Sequence, residues 1–107
     1  MQVKIIVHVP LDSADKVREA IGDTGAGTVG EYTHCSFSSV GTGRFVPSAD
    51  ANPHIGKTGQ LEEVEEVSIE VVCERDTAKI ALEAIRKAHP YEEVGFEIIP
   101  LLDESDL

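Results

Sequence analysis

The chain is short of positive charge. Nine lysines and arginines stand against 20 aspartates and glutamates, a formal net charge of −11. Gripping nucleic acid means neutralising phosphates with lysine and arginine, so nonspecific DNA or RNA binding is not expected. The same deficit argues against docking on an anionic membrane. Long apolar runs are missing too, and none approaches the roughly 20 residues of a spanning helix. The opening MQVKIIVHVPLDS lacks the charged start and cleavage site of a secretory signal. Cysteine is scarce. Cys35 and Cys73 are the only two, too few for a disulfide framework, and they are expected as reduced thiols. A soluble cytoplasmic protein is the expectation.

What is present is enough for one domain over residues 1–107. Apolar residues make up 41% of the chain, which supports a core and argues against disorder. The acid is concentrated in a run, Glu62, Glu63, Glu65 and Glu66, and in a tail, Asp103, Glu104 and Asp106. Both are expected as solvated surface. Glycine is unevenly spread: seven of nine glycines fall between Gly25 and Gly59. A connection longer than about 12–15 residues in a compact domain is usually functional or disordered. This one is not low-complexity, because it holds Tyr32, His34, Cys35, Phe37, Arg44 and Phe45.

Periodicity marks the elements. Val3, Ile5, Val7 and Val9 alternate with Lys4, Ile6 and His8, a half-buried strand that Pro10 closes. Asp12 or Ser13 caps a helix with the stripe Ala14, Val17, Ala20 and Ile21, stopped by Gly22 and Gly25. Val29 to Phe37 is the weaker candidate for a second strand. Val67, Ile69, Val71 and Cys73 alternate in another. Asp76 or Thr77 caps a helix with the stripe Ile80, Ala81, Ala84, Ile85 and Ala88, ended by His89-Pro90. Phe96 to Leu102 is the last strand. The order β-α-β-β-α-β predicts an α+β, ferredoxin-like antiparallel sheet with both helices on one face. A long glycine-rich excursion then joins the first helix to the third strand. Ile6, Val72, Ile99 and Leu101 fall on the opposite phase, so the second sheet face is apolar as well. Such a face is usually covered, and a cyclic homo-oligomer covers it most economically.

Two glycine motifs fail on context. Gly25-x-Gly27-x-x-Gly30 follows a helix and opens a strand, the reverse of a dinucleotide-binding turn. Gly56-Lys57-Thr58 resembles the end of a phosphate-binding loop, but Ala51 stands where its first glycine belongs. His34, Cys35 and His89 are metal-ligand types for a divalent ion, yet no pair has a recognised ligand spacing. The alternative is that they order loops by hydrogen bonding. Cys35 has no visible base to make it a nucleophile. His8 is read as a polar contact on the outer sheet face, and Tyr91 as either a pocket aromatic or a packed corner.

Three blocks, GAGTVGEYTHCSFSSVGTGRF from Gly25, ANPHIG from Ala51 and AHPYEEV from Ala88, occur together and in order. They resemble the YqfO-type insert domain of the NGG-interacting factor three (Nif-three) family, relatives of YbgI, across essentially the whole chain. The resemblance implies a CutA-like, PII-like fold that tends to form trimers. The dinuclear metal site of full-length relatives lies in two flanking domains whose ligand motifs have no match here. The resemblance therefore implies a stand-alone insert, without the metal-dependent hydrolase activity that it implies for the full-length family. A non-catalytic binding or regulatory module is expected, with His34, Cys35, Arg44, Asn52, His89, Tyr91 and Glu92 as candidate ligand contacts. A CutA-like metal-binding protein, or an accessory subunit for a separately encoded hydrolase-like partner protein, are the alternatives. No cofactor is expected beyond that possible metal. An enzyme is disfavoured, since no nucleophile–base pair or paired catalytic carboxylates are evident.

Overall fold

A computed structural model describes every residue, Met1–Leu107. Its elements are β1 (Gln2–Pro10), a short 3-10 turn, α1 (Ala14–Asp23), β2 (Phe37–Phe45), β3 (Glu62–Glu74), α2 (Arg75–Ala88) and β4 (Phe96–Pro100), followed by a terminal 3-10 turn. The strands form one four-stranded sheet in the order β2-β3-β1-β4. Every pairing is antiparallel. This is the α+β arrangement that the element order predicts. No helix is long and apolar enough to cross a membrane.

Alternation builds the core. Register sets Val3 opposite Cys73, Ile5 opposite Val71, Val7 opposite Ile69 and Val9 opposite Val67. All eight are buried, and α1 lays Ala14, Val17 and Ile21 over them while α2 adds Ala78, Ala81 and Ile85. A fully buried valine or isoleucine contributes about 1.5–3 kcal/mol. Seven of the larger side chains here, Ile5, Ile21, Ile69, Ile85, Val7, Val9 and Val17, are sealed this completely.

Several local expectations are corrected. The α2 stripe runs through Ala78, Ala81 and Ile85, not Ile80, which is 56% exposed. At 3.6 residues per turn, positions 78, 81 and 85 share a face and position 80 turns off it. Neither helix receives the expected side-chain cap. Ser13 Oγ instead donates to Asp12 Oδ1 at 3.3 Å, and α2 begins at Arg75, before Asp76 and Thr77. Gly22 does not stop α1 but lies buried inside it, where the His34 ring occupies the space of an absent Cβ. The exit is at Gly25, in the left-handed region at φ +96°.

The second strand is displaced most. Val29 and Tyr32 close a small turn through reciprocal backbone bonds of 2.8 and 2.9 Å. The strand itself begins at Phe37. None of its nine residues reaches the core, with seven exposed and only Gly43 and Phe45 half-buried, and it is held by pairing with β3 from Phe37–Glu70 to Phe45–Glu62. β3 starts at Glu62, earlier than its hydrophobic alternation suggests, and β4 ends at Pro100 rather than Leu102. Residues 62–65 of β3 pair with β2 alone, so the β2–β3 hairpin projects past the helices. The molecule measures 48 × 27 × 23 Å with a radius of gyration of 15.1 Å, against about 13 Å for a compact chain of this size.

The sheet face opposite the helices is uncovered. Lys4 stands between Val72 and Ile99 there, with Ile6 one pleat along. Ile6, Val72 and Leu101 are half-buried, while Ile99 is 40% and Phe37 67% exposed.

Gly27 ties the glycine segment to the sheet. Beyond Phe37, where β2 no longer pairs, its N–H donates to the Val72 carbonyl at 3.0 Å, and its own carbonyl accepts from Cys35 N–H at 2.9 Å. Gly27 has φ +81°, and a Cβ there would run into the Cys35 backbone carbonyl. Gly27→Ala is expected to destabilise the fold by about 2 kcal/mol or more, a Tm loss near 10 °C. Gly41→Ala, with open space at the Cβ and no left-handed backbone, should stay within about 2 °C of the parent. Thermal melts of both variants check this, and equal melting of Gly27→Ala and the parent would contradict it.

Candidate functional site

Where the β2–β3 hairpin leaves the helical layer, a cleft of about 600 Å³ opens on the uncovered sheet face. Three stretches wall it: the end of β2 with Phe45 to Ser48, the returning loop with Ala51 and Pro53 to Ile55, and the corner between α2 and β4 with Tyr91 to Glu93. His8 and Glu66 line its floor.

Glu66 is the unexpected residue. It belongs to the acidic run expected as solvated surface, yet it is only 8% exposed. Its place in β3, opposite Pro10 and Gly41, turns it onto the outer face. There the Gly43 side of β2 leaves room for its carboxylate, which fills the space a Cβ would need. Tyr91 Oη donates to Glu66 Oε2 at 2.7 Å. Burial, and then the bond to Glu66 and its charge, push the Tyr91 phenol well above its ordinary value. It therefore stays a protonated donor.

His89 supports Tyr91 from below. Its Nε2 lies 2.7 Å from the His8 carbonyl, and Tyr91 N–H donates to its Nδ1 at 3.1 Å. A backbone N–H can only donate, so Nδ1 is the acceptor and Nε2 carries the hydrogen. Burial holds the His89 pKa below the usual histidine value, partly offset by the His8 carbonyl and the Glu66 charge. The His89 and Tyr91 rings lie 4.8 Å apart, and Phe45 meets Tyr91 edge-on at 5.9 Å. The His89-Pro90-Tyr91 corner is thus a rigid bracket that aims a phenol at a buried carboxylate.

Of the seven candidate contacts, five gather here. Tyr91, Glu92 and Arg44 line the cleft. Asn52 contributes its backbone, donating N–H to both Glu92 carboxylate oxygens at 3.0 and 3.3 Å, which clips the loop to the corner. His89 lies beneath. The Arg44 guanidinium is directed to Glu63 at 3.4 Å. His34 and Cys35 stand apart, beside Gly27 and Val72. Val72 is six residues along β3 from Glu66, about 20 Å at the rise of a strand. The His34 ring bonds Thr33 Oγ1 at 3.0 Å and Asp23 Oδ1 at 2.9 Å, packed on Gly22 with its backbone at φ 57°. His34, Cys35 and His89 therefore do not converge, and no three His, Cys, Asp or Glu side chains gather to share an ion. Sequence reasoning missed Glu66, Phe45 and His54 as cleft residues. Only the sheet register, which faces Glu66 with glycine, distinguishes it from its acidic neighbours.

No protein-family model matches the chain. Curated sequences do. A GTP cyclohydrolase 1 type 2 homolog of Bacillus subtilis is 47% identical over 98 residues, covering 92% of this chain and 26% of that protein. The chain spans about a quarter of the length of the curated relatives it matches. Among solved structures, a Bacillus cereus protein related to NIF3 superposes with a TM-score of 0.82 at 45% identity, over 95% of this chain and 26% of that one. A PII-like protein CutA from a Nostoc species superposes with a TM-score of 0.69 at 14% identity, over 100% of this chain and 86% of its own. That last likeness is one of fold alone.

The neutral state of His89 sets a pH dependence. Its folded pKa is lowered, so between that value and the unfolded value near 6.5 the unfolded chain binds more protons. The stability it contributes is present above the unfolded value and is lost as pH falls from there through the lowered folded value. Urea unfolding at pH 7.5 and 5.5 should show the parent weaker at pH 5.5 and His89→Gln less sensitive to the change. Carboxylates titrate near pH 4 and leave this window to histidine. An unchanged pH response in His89→Gln would contradict the assignment.

Proposed function

Because the chain is related to the NIF3 proteins through one CutA-like segment of them, we propose that it is a small non-catalytic binding module whose ligand site is the cleft beneath Tyr91. The carrying observation is the Tyr91–Glu66 pair at 2.7 Å, a buried acceptor and a fixed donor at the floor of a cleft of about 600 Å³. Pockets of this size with a few converging polar groups suit metabolite-sized ligands. The cyclohydrolase name belongs to proteins of which the chain matches 26%, and the reading rests on the cleft instead. The phenol held in its protonated form serves recognition rather than proton transfer near neutral pH. The module acts in the cytoplasm, where the free thiols of Cys35 and Cys73 stay reduced.

A fragment library screened by amide NMR on the full chain is expected to yield ligands whose shifts converge on residues 43–48, 51–55 and 91–95. Tyr91→Ala should weaken them at least tenfold. A screen that leaves those amides unmoved sinks the reading.

We also propose that the module is a homo-oligomer, with the trimer favoured, and that the uncovered sheet face is its interface. Support comes from the apolar side chains of Ile6, Val72 and Ile99 on one face of an otherwise finished sheet. Sedimentation equilibrium should give three times the chain mass, and Val72→Glu should shift the mass toward one chain with cooperative melting retained. A parent protein that sediments as a single chain at high concentration refutes this.

A further inference from the structure

Glu66 narrows the chemistry of what the cleft can hold. Burying a carboxylate to 8% exposure is costly unless a cation or several donors face it. Its one hydrogen-bond partner is the neutral Tyr91 hydroxyl, on Oε2, which leaves Oε1 as a free acceptor. None of the chain's ion pairs includes Glu66. Arg44 sits on the other phase of β2 and pairs with Glu63. The remaining ionisable side chains around the cleft are Glu92 and Glu93, which add negative charge, and His8 and His54, which are exposed. The site is thus a buried carboxylate with no cationic partner, under the rings of Phe45 and Tyr91.

We propose that the cleft takes a small organic cation, an amine, amidine or guanidine on a flat apolar body, with its N–H groups directed at Glu66. This rests on the cleft being the ligand site. A planar N–H pair matches the geometry of a carboxylate, and an oxygen that already accepts one hydrogen bond retains a second lone pair. The aromatic walls favour a flat body and add attraction for a cation within about 6 Å of a ring. An anionic ligand would meet Glu66, Glu92 and Glu93 without a free lysine or arginine to receive it.

Three probes with one body separate the possibilities: benzamidine, benzyl alcohol and benzoate, titrated into the full chain and followed by amide NMR. Benzamidine is expected to shift the cleft amides and to bind at least tenfold more tightly than benzoate. Glu66→Gln, which keeps the shape, should erase that preference, and Tyr91→Phe, which leaves both carboxylate oxygens free, should retain it. If Glu66→Gln fails to fold, the comparison of the three probes on the parent protein still decides. Benzoate or benzyl alcohol binding the cleft as well as benzamidine overturns the cation inference and leaves the cleft reading standing. Failure of all three probes and of the fragment library at those amides overturns both. Benzamidine binding seen only in the Val72→Glu variant would mean that a second copy already satisfies Glu66, and would overturn the small-cation inference alone.

Discussion

The pairing of β1 with β3 carries the rest of this structure. Nine consecutive residue pairs, from Gln2–Glu74 to Pro10–Glu66, fix which side chains face the helices and which face away. A strand shifted by one residue would turn every side chain to the other face. In this register four valines and isoleucines of β1 meet Val67, Ile69, Val71 and Cys73 in the core. The same register puts Ile6 and Val72 on the outer face and sends Glu66 to the point where the sheet outgrows its helices. The core, the uncovered face and the floor of the cleft are one geometric decision.

From Glu66 a chain of hydrogen bonds runs back into the fold: Tyr91 hydroxyl to Glu66, Tyr91 N–H to His89, and His89 to the His8 carbonyl. The backbone donor makes Nδ1 of His89 an acceptor, burial keeps that ring neutral, and burial together with Glu66 keeps the phenol protonated. Proline at position 90 shapes the corner that brings the His89 and Tyr91 rings together at a tilt of 53°. The chain joins α2, β1 and β3, so the cleft floor is as rigid as the sheet. Its outer wall is held more lightly, by the Asn52–Glu92 clip between two exposed residues.

The glycine segment serves three structural purposes. Gly25 and Gly27 reverse the chain after α1 and dock it on Val72, with His34 lying over Gly22 as a second fastening. Gly41 and Gly43 lie within β2, where a side chain at position 43 would collide with Glu66. Residues 46–61 return to β3 and wall the cleft. The segment read as a single irregular excursion is a docked turn, a strand and a loop. His34 and Cys35 belong to the first of these, and the segment's share of the candidate ligand site, His54 included, to the other two.

Periodicity in the sequence determined β1, the centre of β3, both helices and hence the ferredoxin-like order, because each buries a face and burial imposes its period on the residues. The AHPYEEV block likewise marked His89, Tyr91 and Glu92 as a corner worth attention. β2 left no such mark, because an exposed edge strand is specified by its partner's backbone rather than by its own hydrophobicity. Which of the four glutamates near position 65 is buried, and which histidine is locked neutral, only the tertiary structure decided. Those properties come from what lies across the sheet and across a turn, Gly43 beside Glu66 and the His8 carbonyl beside His89, and residues distant in sequence carry no local signal of meeting.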